Sequence, residues 1–285
     1  MFDYLMSWFS DTRNTIMFFL LAFPGRIIAL SVHEFAHAWM ANRCGDPTAR
    51  HMGRMTLNPL RHLDPLGTIM MIFLGYGWAR PVPVNPRNFR NYRRDDLLVS
   101  IAGVTMNLLM FLVSSILMYA IIAFTVAQLP MISLMSNTNR TIYQSVYDGA
   151  RCVFVLEGNQ YYYITVRDIL LQAPYIGQWL ISAAHGTIAG YAYDMLGYFA
   201  LTNLMLAIFN MLPIPPLDGY HVFNDLFFRR ENLFAAQNVA RIASGVLMML
   251  AFTGVLGEAL GWLDEQIIVG MGNLAGMVFQ AAGLM

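Results

Sequence analysis

The chain has 285 residues, 57% of them hydrophobic and only 12% charged, with seventeen basic and seventeen acidic residues and a formal net charge of zero. With a positive mean hydropathy, that composition excludes an ordinary soluble enzyme of this length and places the chain among integral membrane proteins. The basic residues are all arginine, and nine of the seventeen fall between Arg43 and Arg94, where the only acids are Asp46 and Asp64. By the positive-inside rule that segment is cytoplasmic, and because its arginines border apolar spans and mix with prolines, nucleic-acid binding is not expected.

The first residues, Met1-Phe-Asp-Tyr, carry no basic n-region, and no small-residue cleavage site follows the first apolar run. The N-terminus is therefore expected to stay attached. That run extends from about Thr15 to Met40 and contains Pro24-Gly25-Arg26, so it is either one bent helix or a short segment followed by a helix starting near Pro24. Within it stands His33-Glu34-Phe35-Ala36-His37. On a helix the two imidazoles of H-E-x-x-H lie four residues apart on one face, where both can bind one zinc ion, and the intervening glutamate is a candidate general base. Ionisable groups inside an apolar span are functional candidates by default, because lipid provides neither partner nor water. The helix is expected to end near Arg43 to Gly45, close to the cytoplasmic side.

Next, Leu66 to Pro86 holds prolines at 81, 83 and 86. These forbid a helix there and predict a short membrane-associated β-hairpin with its turn near Gly75 to Gly77, lining a cavity. An edge strand from about Ile69 to Pro83 could pair with an unwound substrate by β-addition. Further spans are predicted at about Leu97 to Ala127, Gly190 to Leu212 and Ile242 to Trp262, and a charge-free stretch from Gln266 to Met285 reads as a fifth span or an interfacial helix. The loop from 128 to 186 balances three arginines against three acids, as suits an extracytoplasmic segment, and Cys152-Val-Phe-Val-Leu with Tyr161-Tyr-Tyr-Ile-Thr-Val predicts a small β-hairpin. Cys44 and Cys152 then fall on opposite sides of the membrane and cannot pair; ordinary packing suits both. His51, His62, His185 and His221 are expected to be solvated or hydrogen-bonded.

A catalytic zinc takes three protein ligands and keeps a fourth position for water, so a third ligand must come from elsewhere. Asp218 follows the proline-broken end of the third span, in Asn210-Met-Leu-Pro213-Ile-Pro215-Pro216-Leu-Asp218-Gly219, at matching depth. The expected class is an all-α polytopic membrane protein with at least four transmembrane helices around a three-helix catalytic core. Residues 1–285 form one membrane domain: 15–127 the first half, 128–186 the outer loop and 187–285 the second half.

These residues carry a resemblance. His33 to His37 on the first helix, Ala102-Gly103-Val104-Thr105-Met106-Asn107 on the second and Asn210 to Gly219 on the third resemble the core of the site-2 protease family of intramembrane zinc metalloproteases. Arg80-Pro-Val-Pro-Val-Asn-Pro86 is similar to a loop of that family. No PDZ-like domain is evident, so the resemblance is to a compact member. It implies zinc held by His33, His37 and Asp218, Glu34 as base, and Asn107 and Asn210 in the active-site cleft, where their amides could serve the oxyanion. It also implies cleavage of membrane-bound proteins, single-span ones above all, in a multi-pass protein of the cell membrane with its active site near the cytoplasmic side and a cytoplasmic fragment released. The rival reading is a zinc transporter or metal-binding membrane protein, which ought to spread acidic and histidine residues along several spans.

Overall fold

The computed structural model describes residues 12–74, 77–128 and 188–227, the strand backbone between 134 and 165, and scattered positions from 242 to 270. Among these, three helices are long and apolar enough to cross a membrane: 26 residues from Phe19 to Cys44, 27 from Tyr92 to Met118 and 20 from Tyr191 to Asn210. At about 1.5 Å per residue even the shortest reaches the roughly 30 Å hydrocarbon thickness of a bilayer. The predicted fourth span is described only at scattered positions, and the stretch from 271 to 285 lies outside the described residues, as does His185.

Helix α1, Thr12–Cys44, runs continuously through Pro24, so the first apolar run is one helix. Ala22, Ala29 and Ala36, seven residues apart, are all but fully buried, and a Cβ on Gly25 would lie 3.4 Å from Phe199 Cβ. Small residues on that stripe let helices approach closely where lipid supplies no hydrophobic drive between them. The helix stops at Gly45, whose φ of 110° only glycine adopts without strain. Asp46 N–H donates to Ala41 O at 2.9 Å and Gly45 N–H to Asn42 O at 3.4 Å, the paired bonds of a Schellman cap.

Residues 46–91 form a frame of short elements. Helix α2, Thr48–His51, is followed by 3-10 turns at Pro59–Arg61 and Pro86–Asn88, each opened by an Asn-Pro pair whose asparagine side chain caps the turn. Buried Asp46 ties the frame together: it accepts from Thr48 N–H and Oγ, Asn88 Nδ2 and Asn85 N–H. Burial pushes its pKa up, but these hydrogen bonds outweigh burial and hold it below the ordinary carboxylate value.

The predicted membrane-associated hairpin is corrected here. Pro65–Leu74 is an α-helix, α3, because Asp64 caps it through Gly67 N–H at 2.8 Å and Pro65 takes the first-turn position. The prolines that forbid a helix all lie further on. Among the described residues, the pairing in this region is one antiparallel bridge between Leu63 and Ala79. An edge from Ile69 to Pro83 is therefore not available to a substrate: Ile69 is helical, and the backbone from Arg80 to Val82 is already bonded within the protein.

Helix α4, Tyr92–Gln128, starts at a reciprocal cap in which Asn91 Oδ1 accepts from Arg94 N–H and Asp95 Oδ2 accepts from Asn91 N–H. Helix α5, Ile188–Asn210, gives way at the prolines to helix α6, Asp218–Phe227. Strands β1 (Leu134–Met135), β2 (Arg140–Tyr147), β3 (Ala150–Glu157) and β4 (Gln160–Thr165) pair antiparallel in sequence order, with Cys152 opposite Thr165.

The chain divides into two compact units, residues 1–113 with 198–261 and residues 114–197 with 262–285. The sheet belongs to the second. All of the candidate site lies in the first.

Candidate metal centre

His33 and His37 stand on one face of α1 inside its apolar span, both buried, with ring centroids 4.6 Å apart and planes nearly perpendicular. Counted back from Cys44 they lie about 16 and 10 Å along the helix axis. Asp218 reaches them from the first residue of α6. The chain arrives there because Pro213, Pro215 and Pro216 end α5 and the turn folds back through Leu217 N–H donating to Ile214 O at 3.0 Å. A Cβ on Gly219 would collide with the backbone of Met211 and Leu212, so the turn closes only with glycine at that position.

The three donor atoms form a nearly regular triangle. His33 Nε2 lies 3.0 Å from His37 Nε2, and each lies 3.2 Å from Asp218 Oδ2. His37 Nδ1 donates to Val99 O at 2.8 Å. Since a carbonyl only accepts, that bond puts the neutral ring's proton on Nδ1 and leaves Nε2 with its lone pair facing the cluster. Converging lone pairs in a buried site call for a cation. Zinc with bonds of about 2.0–2.1 Å at the tetrahedral angle separates its donors by about 3.3 Å, which this triangle matches. Among the described residues this is the one group of His, Cys, Asp or Glu side chains so arranged.

Glu34, next to His33 in sequence, accepts from Val82 N–H at 2.8 Å through Oε2. Asn107 is completely buried, and neither its Oδ1 nor its Nδ2 has a partner among the described residues. A buried amide with four open bonding positions costs free energy unless a ligand or water fills them. Asn210 behaves differently: its Nδ2 donates to Leu206 O of its own helix at 2.9 Å.

Two further contributors were named in the sequence without a role at the site: Gly103, within the second-helix motif, and His221, expected to be solvated or hydrogen-bonded. Gly103 lets α4 lie directly on the imidazoles; a Cβ there would be 2.5 Å from His37 Nε2 and 2.6 Å from His33 Cε1. A polar join also fastens α6 to the start of α4. His221 Nδ1 lies 3.2 Å from Asp96 Oδ2, and Arg93 Nε donates to Asp225 O at 2.6 Å. The bond to Asp96 raises the His221 pKa, and burial, then Asp96, raise Asp225 to about 6. The i, i+3 run of polar residues on α6 was a legible signal for that join; nothing in the sequence says which helix it meets.

An H-E-x-x-H pair on a helix able to cross a bilayer, completed by an aspartate beyond the end of another such helix, is the arrangement of a membrane-embedded zinc metallopeptidase. The sequence profile of peptidase family M50 matches residues 18–254, and the chain belongs to that family, the site-2 proteases. The chain is similar to a Bacillus subtilis protein named "Putative zinc metalloprotease YwhC", with 30% identity covering 83% of this chain and 81% of the relative. Under the same description, Rip2 of Mycolicibacterium smegmatis is 31% identical over 37% of this chain and 44% of its own. Rip2 of Mycobacterium tuberculosis is 34% identical over 32% and 36%. No solved structure matches the chain.

Proposed function

We propose that this metalloprotease cleaves peptide bonds in or near the transmembrane segments of membrane-bound proteins, single-span ones above all, with His33, His37 and Asp218 holding its zinc. The observation that carries the reading is the triangle of donors at 3.0–3.2 Å, two of them within a helix long enough to cross the membrane. Zinc supplies an activated water and polarises the scissile carbonyl. Glu34 takes the proton of the attacking water on the carboxylate oxygen that Val82 leaves open and delivers it to the leaving amine. Asn107, buried with both amide atoms unpartnered, donates to the oxyanion as the carbonyl becomes tetrahedral. Asn210 holds the end of α5 instead.

In the same reading the protein is multi-pass, its active site opens near the cytoplasmic side, and the product is a cytoplasmic fragment. The support is the segment from Arg43 to Arg94. Its arginines are exposed at every position except Arg54, and the positive-inside rule counts those arginines while the two acids, Asp46 and Asp64, weigh little.

The test is cleavage of tagged single-span substrates in detergent by wild type and Glu34→Gln, with zinc per chain measured in both. Cleavage by wild type alone at equal zinc content is the expected result. Cleavage by both would remove Glu34 from its role.

A further inference from the structure

We infer that Arg54 is a positioning residue for Glu34, acting through the backbone of Arg80 to Val82; the inference rests on the proposed role of Glu34 as base. Arg54 lies twenty residues from Glu34 in sequence, and its guanidinium is buried, at 7% exposure. A buried guanidinium is costly unless its donors are used. Its Nη2 donates to Arg80 O at 2.7 Å and to Pro81 O at 3.4 Å. The next backbone group along the chain is Val82 N–H, which donates to Glu34 Oε2 at 2.8 Å. Pro81 and Pro83 have no N–H, so Val82 carries the sole amide proton of that stretch, and it is spent on the base.

The remaining supports of the segment point the same way. Arg80 N–H donates to His62 O at 2.7 Å, and His62 is itself fixed by a ring bond to Thr56 O. Asn85 N–H donates to Asp46 Oδ2 at 2.7 Å. The Val82 side chain packs between Ala38 of α1 and Ala49 of α2. Arg54 is the cationic member of this set and the one that grips both carbonyls next to the donor. A Glu side chain has three rotatable bonds, and one of its carboxylate oxygens held by a fixed N–H leaves the other in a defined direction. Residues that orient a catalytic group in this way are worth about 10- to 100-fold in rate when removed.

The test is a double-mutant cycle of Arg54→Gln and Val82→Pro, which deletes the donor itself, with Arg54→Lys as the conservative variant. For each protein, kcat and KM on a cleaved single-span substrate and zinc per chain are measured, with hydrogen exchange of the Val82 amide in the proteins that keep valine there. Arg54→Gln should keep wild-type zinc, exchange the Val82 amide faster and lose about 10- to 100-fold in kcat with KM little changed. Arg54→Lys should recover part of that loss. The double variant should be no worse than Val82→Pro alone, because both substitutions act on one bond. Additive losses, unchanged protection of Val82, or loss of zinc from Arg54→Gln would each overturn the inference. If Arg54→Gln does not fold, the cycle is run with Arg54→Lys in its place. Amide exchange and zinc content need no substrate, so a wild type that cleaves nothing counts against the proposed protease and leaves the Arg54 clamp tested separately.

Discussion

Replacing Gly103 by alanine separates two physical accounts of that position, because they predict opposite signs. In a helix interior Gly→Ala ordinarily stabilises by about 0.8–1.0 kcal/mol. At Gly103 the new methyl would sit 2.5 Å from His37 Nε2, 2.6 Å from His33 Cε1 and 2.8 Å from His33 Nδ1, where ordinary contact begins at 3.4 Å. Something must move by about 1 Å, and overpacking of this kind costs about 1–3 kcal/mol. Without metal the imidazoles can turn aside and relieve the strain. With metal they must keep the triangle, so the strain falls on the bound state. Helix propensity contributes equally to both states and cancels. Zinc affinity should therefore drop about 5- to 150-fold, the range that 1–3 kcal/mol spans at 1.4 kcal/mol per tenfold. Chelator competition read by metal analysis measures it. Gly197→Ala is the control: its Cβ would meet only Met118 Cε at 3.5 Å, and its zinc affinity should equal that of wild type. A Gly103→Ala protein that holds zinc as tightly as the control would refute the proposed contact between α4 and the ligands.

Asn107→Ala should keep zinc and lose about 10²- to 10³-fold in kcat, the usual cost of one oxyanion donor; unchanged kcat would return Asn107 to a packing role. Asp46→Ala removes the acceptor of four donors in the loop frame and should destabilise by about 3–5 kcal/mol in thermal or denaturant unfolding. Since the folded pKa of Asp46 is lowered from 3.8, its contribution is complete above that value and fades as pH falls through the depressed folded value. The wild-type advantage over Asp46→Ala should therefore shrink only in acid. His221 runs the other way, with its folded pKa raised from 6.5: its bond to Asp96 stabilises fully below 6.5 and is lost as pH rises through the folded pKa. Melting curves of wild type and His221→Asn should converge with rising pH, and a constant gap would refute the ion pair.

The site was more legible in the sequence than the frame around it. Two histidines at helical spacing with a glutamate between them carry a mechanism in five residues, and Asp218 followed from the need for a third ligand beside a proline-broken helix. In the structure Asp218 Oδ2 lies 3.2 Å from the Nε2 atoms of both His33 and His37. The region from 46 to 91 was read through its prolines alone, and there the reading failed at α3. The prolines at 81, 83 and 86 argue against a helix across themselves and say nothing about residues 65–74; the Asp64-Pro65 start signal was the stronger clue. Arg54 could not have been found from sequence at all. Its importance comes from two carbonyls brought to it from 26 and 27 residues away, while eight other arginines in the same stretch are exposed.

Among the described residues helix α4 contributes no member of the donor triangle, yet it touches the candidate centre at several points. Asp96, Val99, Gly103 and Asn107 fall at intervals of three, four and four residues, one stripe along its face. Asp96 holds His221 of α6, three residues after Asp218, and so fixes the helix whose first residue is the third donor. The Val99 carbonyl takes the proton of His37 Nδ1 and so decides which nitrogen faces the cluster. On a helix the side chain four residues on stands over a carbonyl, and at position 103 there is none, which leaves Val99 O open to an imidazole from another helix. Gly103 thus acts twice, admitting the rings and uncovering the acceptor that orients one of them. Asn107 follows one turn further, buried and unpartnered. The H-E-x-x-H helix supplies the chemistry of the centre, but the tautomer of His37, the approach of the rings and the position of Asp218 are all set from α4. Substitutions on this stripe should therefore disturb zinc binding and catalysis more than equal changes elsewhere on α4, where Leu108, Leu109 and Leu112 are exposed on the opposite side.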